Sequence, residues 1–208
     1  FIKWKVINKS PNDWDSTYLS IWTDPDVGDA GDDLVGCDST LNLAYAYNGH
    51  ETDQKYGKIP PAVGTKILQG ALVDANGGQV VLPDGRRFDN VSEQKMRSFL
   101  FYVSGSGNAG SPETPEDIYY YMQAKWQDGS PLVNDGQYGT STGPRTTYMF
   151  TGDPESGEGW LDKSPADRRM LMSVGPFDMP VWSDANNNNI PDLGEPGVQE
   201  IVAAVIVA

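Results

Sequence analysis

The stretch Ile201-Val-Ala-Ala-Val-Ile-Val207, an uninterrupted apolar run, decides the fold class of this 208-residue chain. Its β-branched residues favour a strand over a helix, and the lack of polar alternation is typical of a strand buried on both faces. The run is far shorter than the roughly 20 apolar residues that cross a bilayer. It therefore predicts a central strand of a buried β-sheet.

Segments toward the N-terminus show the alternating or β-branched patterns of half-buried strands. They are residues 1–9, 16–22, 41–47, 59–73 and 79–82. One helix is predicted at residues 114–127, because Thr114 suits the N-cap, Pro115 the first turn and Asp117 the capping box. Residues 164–169 repeat the cap-then-proline pattern and predict a short helical turn.

Together these patterns predict a mainly β, β-sandwich-like fold with one α-helix and long calcium-binding loops. No break in composition divides the sequence, so residues 1–208 are predicted to form a single β-rich domain. The sequence opens directly in a strand pattern and ends within an apolar run. We therefore expect it to be an excerpt of a longer extracellular protein.

The composition is strongly acidic, with 15 Lys and Arg against 29 Asp and Glu and a formal net charge of −14. Such a surface repels phosphate groups, which argues against partners among nucleic acids and against binding to anionic membranes. Clustered carboxylates attract cations instead, and a solvated acidic surface is the alternative explanation for most of the charge.

The loop Asp184-Ala-Asn-Asn-Asn-Asn-Ile-Pro-Asp-Leu-Gly-Glu195 has the ligand spacing of a calcium-binding loop. Loop positions 1, 3, 5, 9 and 12 carry Asp184, Asn186, Asn188, Asp192 and Glu195, and position 7 offers the carbonyl of Ile190. Asn189 stands where glycine is usual, and asparagine tolerates positive φ. The loop resembles those of thrombospondin type 3 repeats and dockerins, which implies Ca²⁺ binding. An Asn-rich turn without an ion is the alternative.

A second acidic segment, residues 24–38, contains six aspartates separated by glycines that let the chain curl. Convergence of several carboxylates is costly unless a cation offsets their charge. The candidate Ca²⁺ ligands are Asp24, Asp26, Asp29, Asp32, Asp33 and Asp38. No fixed spacing selects among them, and a mobile acidic loop is the alternative.

The segment Trp22-Thr-Asp-Pro-Asp-Val-Gly-Asp-Ala-Gly-Asp-Asp-Leu-Val-Gly-Cys-Asp38 is one of several motifs that carry a family resemblance. The others lie at residues 44–49, 60–64, 150–154, 159–162, 165–169, 175–177 and 199–202. In combination they resemble large secreted proteins of Bacteroidetes and Ignavibacteria of the type exported by type IX secretion. The resemblance covers nearly the whole chain and implies a secreted or cell-surface location, but it implies no reaction.

No arrangement of residues predicts catalysis. His50 is the only histidine, so a Ser-His-Asp triad or a zinc site lacks its parts, and no spacing singles out an acid pair of the glycosidase type. We therefore predict a non-catalytic calcium-binding domain with a structural or adhesive role, which contacts other copies of itself or neighbouring domains. The alternative is a carbohydrate-binding or carbohydrate-active module, because six Trp and ten Tyr offer stacking surfaces for extracellular polysaccharide.

Overall fold

The computed structural model describes residues 1–134 and 143–208 and is mainly β, with antiparallel sheets and a single α-helix in a β-sandwich-like fold. The strands are β1 (Ile2–Ile7), β2 (Trp14–Thr23), β3 (Asp33–Asp38), β4 (Leu43–Asn48), β5 (Thr52–Asp53), β6 (Gly57–Lys58), β7 (Ala62–Gln69), β8 (Ala71–Val81), β9 (Arg87–Gln94), β10 (Ser98–Tyr102), β11 (Arg169–Met179) and β12 (Val198–Val207). The helix α1 is Pro115–Met122, and a 3₁₀ turn spans Ala30–Asp32. The predicted fold class is confirmed.

The sheets are antiparallel and unequal in size. One has five strands in the order β1-β12-β7-β4-β3, a second has the order β10-β11-β2, and β5-β6 and β8-β9 form two-stranded sheets. The predicted central strand is β12, which has β1 on one side and β7 on the other. Ile201 and Ala203 in this strand are buried, whereas Val205 and Val207 are exposed.

The residues of the chain form two compact units. The first comprises Phe1–Leu19, Ile67–Lys95 and Val174–Ala204, and the second comprises Ser20–Lys66, Met96–Ser173 and Val205–Ala208. Each unit is assembled from three separate segments of the chain. A sequence organised in this way has no linker or composition shift at which a boundary would be read.

In the first unit, β1 pairs with β12, with Ile2 opposite Ala203 and Ile7 opposite Val198. Glu200 of β12 is buried, and its carboxylate contacts Lys3 Nζ at 2.8 Å and Arg86 Nη2 at 2.7 Å. A buried carboxylate is tolerated when cations and hydrogen bonds compensate for the lost hydration. The apolar core of the β8-β9 hairpin consists of Leu72, Leu82 and Leu193, with Val80, Phe88 and Val91 packed against it.

In the second unit, α1 begins with the predicted capping box: Thr114 accepts from the Asp117 backbone, and Asp117 accepts from the Thr114 backbone. The helix ends at Met122 and not at residue 127, because Ala124 adopts φ +54°. In the same unit β10 pairs with β11, which puts Tyr102 opposite Arg169. Among the described residues, no helix is long and apolar enough to span a membrane.

Candidate metal centre

The acidic segment after β2 folds into a tight curl before it enters β3. Asp26 and Gly28 adopt positive φ values of 38° and 82°, and Gly28 N–H donates to the Asp26 carbonyl at 2.9 Å. A Cβ atom on Gly28 would lie within 2.3–2.5 Å of the carboxyl atoms of Asp53, so only glycine fits this turn. The curl brings the aspartates at its start close to those at its end.

Three carboxylates of the second unit meet at one point. Asp24, Asp26 and Asp167 each offer an oxygen, and these oxygens lie within 4.8 Å of one another. Among the residues that the structure describes, they are the one group of three such ligands at this spacing. Asp24 and Asp26 come from the predicted segment, whereas Asp167 precedes β11 and was not predicted.

Asp33 is the most buried member of this acidic region. Its side chain is fully buried at the start of β3, and Oδ2 accepts from Val27 N–H at 3.1 Å. The other oxygen, Oδ1, is buried and has no hydrogen-bond partner. Burial, together with the nearby charges of Asp32, Asp26 and Asp167, raises the pKa of Asp33 to about 7.

Unpartnered oxygens recur on the neighbouring aspartates. Besides Asp33, the Oδ1 atoms of Asp24, Asp32 and Asp167 are buried without a hydrogen-bond donor. Buried polar groups in folded proteins almost always have partners, so each such atom calls for a physical cause. Four carboxylate oxygens in one region share the same deficiency, and a hard cation bound by Asp24, Asp26 and Asp167 would offset the negative charge of this region.

Arg169 is the positive charge beside these aspartates. Its Nε lies 3.4 Å from Asp24 Oδ2, and its Nη1 lies 3.0 Å from Asp167 Oδ2 and donates to Ser104 Oγ at 2.6 Å. These contacts occupy the outer oxygens of Asp24 and Asp167. The pKa of Asp24 remains raised by burial and by Asp26 and Asp167, although Arg169 lowers it. One guanidinium therefore does not neutralise the site.

A buried ion pair holds Asp167 in position. Arg168 Nε and Nη2 each lie 3.2 Å from the Asp162 carboxylate, Arg168 also donates to the Ser164 carbonyl, and its guanidinium lies 4.1 Å from the centre of the Phe101 ring. Both charged side chains are buried. The helical turn predicted at residues 164–169 is wrong, because this ion pair closes the segment into an irregular loop.

The loop that carries Asp167 is also bonded directly to β3. Ala166 N–H donates to the Asp33 carbonyl at 3.1 Å, and Val35 N–H donates to Asp162 Oδ2 at 3.3 Å. These two bonds bring Asp167 to the end of β3 that carries Asp33. Sequence reasoning missed Asp167 because no local spacing relates it to residues 24–38; only the folded backbone does.

Two of the predicted ligands have other roles in the structure. Asp29 is the N-cap of the 3₁₀ turn, where its Oδ1 accepts from Gly31 N–H at 2.9 Å. Asp38 lies at the opposite end of β3 from Asp33, roughly 16 Å away at the rise of an extended strand. Its Oδ1 accepts from Thr40 and Leu41, and these bonds lower the pKa of Asp38.

The predicted loop at residues 184–195 belongs to the first unit and joins β11 to β12 without flanking helices, as expected. Asn189 adopts φ +60°, which confirms the expectation for this position. Asp184 accepts from the backbone of Asn188 at 3.2 Å and of Asn189 at 2.8 Å. Glu195 accepts from Ala185 and Asp192 N–H, each at 3.1 Å.

The remaining predicted ligands of this loop are hydrogen-bonded to one another. Asn186 Nδ2 and Asn188 Nδ2 donate to Asp192 Oδ2 at 3.1 and 2.9 Å. Ile190 donates its N–H to Asn188 Oδ1. The five side chains at the ligand positions are therefore linked in one network, and an ion would require both amides to present oxygen instead of nitrogen.

Both sites consist of oxygen ligands alone, which suits a hard divalent cation better than zinc or copper. His50 is exposed in a loop, as predicted, and Cys37 is buried, where its thiol donates to the Met149 carbonyl. Comparison with known proteins adds no relative: no protein-family model, curated protein or solved structure matches the chain.

Proposed function

We propose that this chain is a non-catalytic, calcium-stabilised β-rich domain of a secreted or cell-surface protein, with a structural or adhesive role. The observation that carries the proposal is the convergence of Asp24, Asp26 and Asp167, whose oxygens lie within 4.8 Å of one another in the same region as the buried, unpartnered Oδ1 of Asp33. A calcium ion takes six to eight oxygens at about 2.3–2.6 Å. Asp24, Asp26 and Asp167 supply such oxygens, and Asp32 and Asp33 lie outside this group of three.

A proton is a poorer partner for this site than a cation. Protonation of Asp33 near its pKa of about 7 gives one oxygen a hydrogen, but the unpartnered oxygens of Asp24, Asp32 and Asp167 stay unsatisfied. A divalent ion contacts several oxygens together and offsets their mutual repulsion. The irregular, all-oxygen arrangement favours Ca²⁺ over Mg²⁺, which demands near-ideal octahedral geometry.

The loop at residues 184–195 supports the same function through a second ion in the first unit. Its ligand positions 1, 3, 5, 9 and 12 are linked by hydrogen bonds among their side chains and with backbone N–H groups of the loop itself. Calcium loops without flanking helices brace a fold instead of opening a groove. Sites of this kind suit the millimolar calcium found outside cells, which agrees with the extracellular resemblance.

Thermal unfolding in calcium and in chelator tests the proposal. An ion at 100-fold excess over its dissociation constant adds about 2.7 kcal/mol, which for a chain of this size raises Tm by roughly 5–10 °C. Isothermal titration calorimetry should give two calcium ions per chain. An identical Tm in calcium and in chelator, with no heat of binding, would defeat the proposal.

Matched Asp→Asn variants assign the ions to their sites. Asp167→Asn should remove one of the two ions, and Asp184→Asn should remove the other. Asp38→Asn is the control, because Asp38 is in the same acidic segment but caps a turn away from Asp33. Its calcium stoichiometry should equal that of the wild type. Retention of both ions in Asp167→Asn would exclude the centre in the second unit.

A further inference from the structure

An exposed tryptophan stands beside the candidate metal centre and is held in one orientation. Trp22, near the end of β2, is 53% exposed, and its Nε1–H donates to Tyr102 Oη at 2.8 Å. The Tyr102 ring stacks on the fully buried Tyr121, with centroids 5.6 Å apart and an interplanar angle of 18°. The indole is therefore a rigid aromatic surface that is open to solvent.

The indole adjoins the centre through two independent routes. Asp24 follows Trp22 by two residues, just beyond the end of β2. Tyr102, which holds the indole, lies opposite Arg169 in the β10-β11 pair. Arg169 in turn contacts both Asp24 and Asp167. An aromatic surface, a guanidinium and the proposed ion thus border the same patch.

The proposed ion has coordination positions left for a ligand. Asp24, Asp26 and Asp167 cannot fill six to eight positions on one ion unless each of them binds through both oxygens. Asp24 and Asp167 already use one oxygen each on Arg169. The remaining positions fall to water or to hydroxyl groups of a bound molecule, and the exposed Asp26 marks the solvent side.

Resting on the calcium centre proposed above, we infer that this patch binds neutral carbohydrate in a calcium-dependent manner. Vicinal hydroxyls of a sugar complete the coordination of the ion, and the apolar face of the ring stacks on Trp22. Three carboxylates against two charges of Ca²⁺ and one of Arg169 leave the patch without net charge. This balance, together with the net charge of −14, disfavours uronates, sulfated glycans and nucleic acids.

Affinity electrophoresis tests the inference with defined polysaccharides. The chain would be run through gels containing xyloglucan, galactomannan or hyaluronan, with calcium or with EGTA. Retardation is expected in at least one neutral gel with calcium, no retardation is expected with EGTA, and none is expected in hyaluronan. Trp22→Ala should weaken the retardation at least tenfold while it keeps the calcium-dependent rise in Tm.

Trp14→Ala is the matched control, because Trp14 is 37% exposed at the other end of β2. Its retardation should equal that of the wild type. Absence of retardation in every neutral gel, persistence in EGTA, or an equal loss in both Trp variants would overturn the inference. These outcomes leave the calcium centre intact if Tm still responds to calcium, whereas loss of that response in the wild type overturns both proposals.

Discussion

Asp33 is a buried aspartate at the start of β3, immediately before the apolar pair Leu34 and Val35. Among the described residues, the only hydrogen bond to its carboxylate comes from Val27 N–H, so half of this carboxylate is desolvated without compensation. An asparagine would accept the same bond and would add two donors toward the neighbouring carboxylates. The hydrogen bonding of the fold therefore does not account for the charge at this position, which the proposed cation would offset.

Asp33→Asn is expected to have opposite effects on the free energy of unfolding with and without calcium. In chelator the variant should be more stable than the wild type by about 1–3 kcal/mol, because it removes a buried unpaired charge. In calcium it should lose the stabilisation that depends on the ion in the second unit. Urea unfolding in both buffers measures the two effects.

Asp38→Asn is the control for this crossover. Asp38 makes charge-assisted hydrogen bonds to Thr40 and Leu41, so its substitution should cost about 1 kcal/mol in either buffer. The difference between calcium and chelator should stay at the wild-type value. A destabilised Asp33→Asn variant in chelator would show that the negative charge serves the fold itself.

The pKa of Asp33 also predicts how stability depends on pH in the absence of calcium. The folded-state pKa of about 7 lies above the ordinary value of 3.8, so between these values the folded chain holds a proton that the unfolded chain has released. Unfolding free energy should therefore increase as pH falls from 8 to 5.5, by about 2 kcal/mol. Carboxylates with lowered pKa values, such as Asp38 and Asp53, lose their contribution only below this window.

Urea unfolding at pH 8 and pH 5.5 in chelator checks this prediction. The free energy of unfolding of Asp33→Asn should not rise between pH 8 and pH 5.5, because asparagine has no proton to take up at this position. In calcium the wild-type trend should reverse, since protons and the ion compete for the same oxygens. A wild-type stability that stays flat in chelator would place the pKa of Asp33 outside the window.

At the scale of elements, the loop at residues 162–168 brings Asp167 to Asp24 and Asp26 and so completes the candidate metal centre. It is closed by the buried Asp162–Arg168 pair and is bonded to β3 through Val35 N–H and Ala166 N–H. Such a pair contributes little net stability relative to apolar side chains, but removal of one partner leaves an uncompensated buried charge. Its effect here is to fix the position of Asp167.

Arg168→Met is expected to destabilise the chain by about 3–5 kcal/mol, because it leaves the Asp162 carboxylate buried and unpaired. It should also weaken calcium binding in the second unit, since the loop that carries Asp167 loses its closure. The double variant Asp162→Asn/Arg168→Met should recover part of the stability, because no buried charge remains. Urea unfolding and calcium titration of both variants provide the measurements. Equal losses in the single and double variants would contradict this origin of the cost.

Local patterns explain which elements could be predicted from the sequence. The capping box at Thr114 and Asp117 involves residues three apart, and the spacing of residues 184–195 lies within one loop, so both were visible without a structure. The helical turn at residues 164–169 was wrong because a buried ion pair overrode local propensity. Asp167 could not be assigned to the centre because its relation to Asp33 arises from backbone bonds between distant segments.

At the scale of the whole molecule, the two candidate calcium sites belong to different compact units. The loop at residues 184–195 is part of the first, and Asp24, Asp26, Asp33 and Asp167 are part of the second. Each unit draws on segments that are far apart in sequence. Because their strands pair over long range, local sequence patterns do not predict such an arrangement. The proposed ion, which would join Asp24 and Asp26 to Asp167, would therefore close a long loop of chain, and such closures suppress local opening.

Calcium is expected to slow amide hydrogen exchange in both units, and each substitution should abolish the effect in its own unit. Binding suppresses those openings that break the site, by RT ln(1 + [L]/Kd), which is about 2.7 kcal/mol at 100-fold excess. Asp33→Asn should remove the calcium-dependent protection of β3 and of residues 162–168 but not that of residues 184–204. Asp184→Asn should do the reverse. Hydrogen exchange read by mass spectrometry resolves these segments, and loss of protection throughout the chain in either variant would contradict independent bracing by two ions.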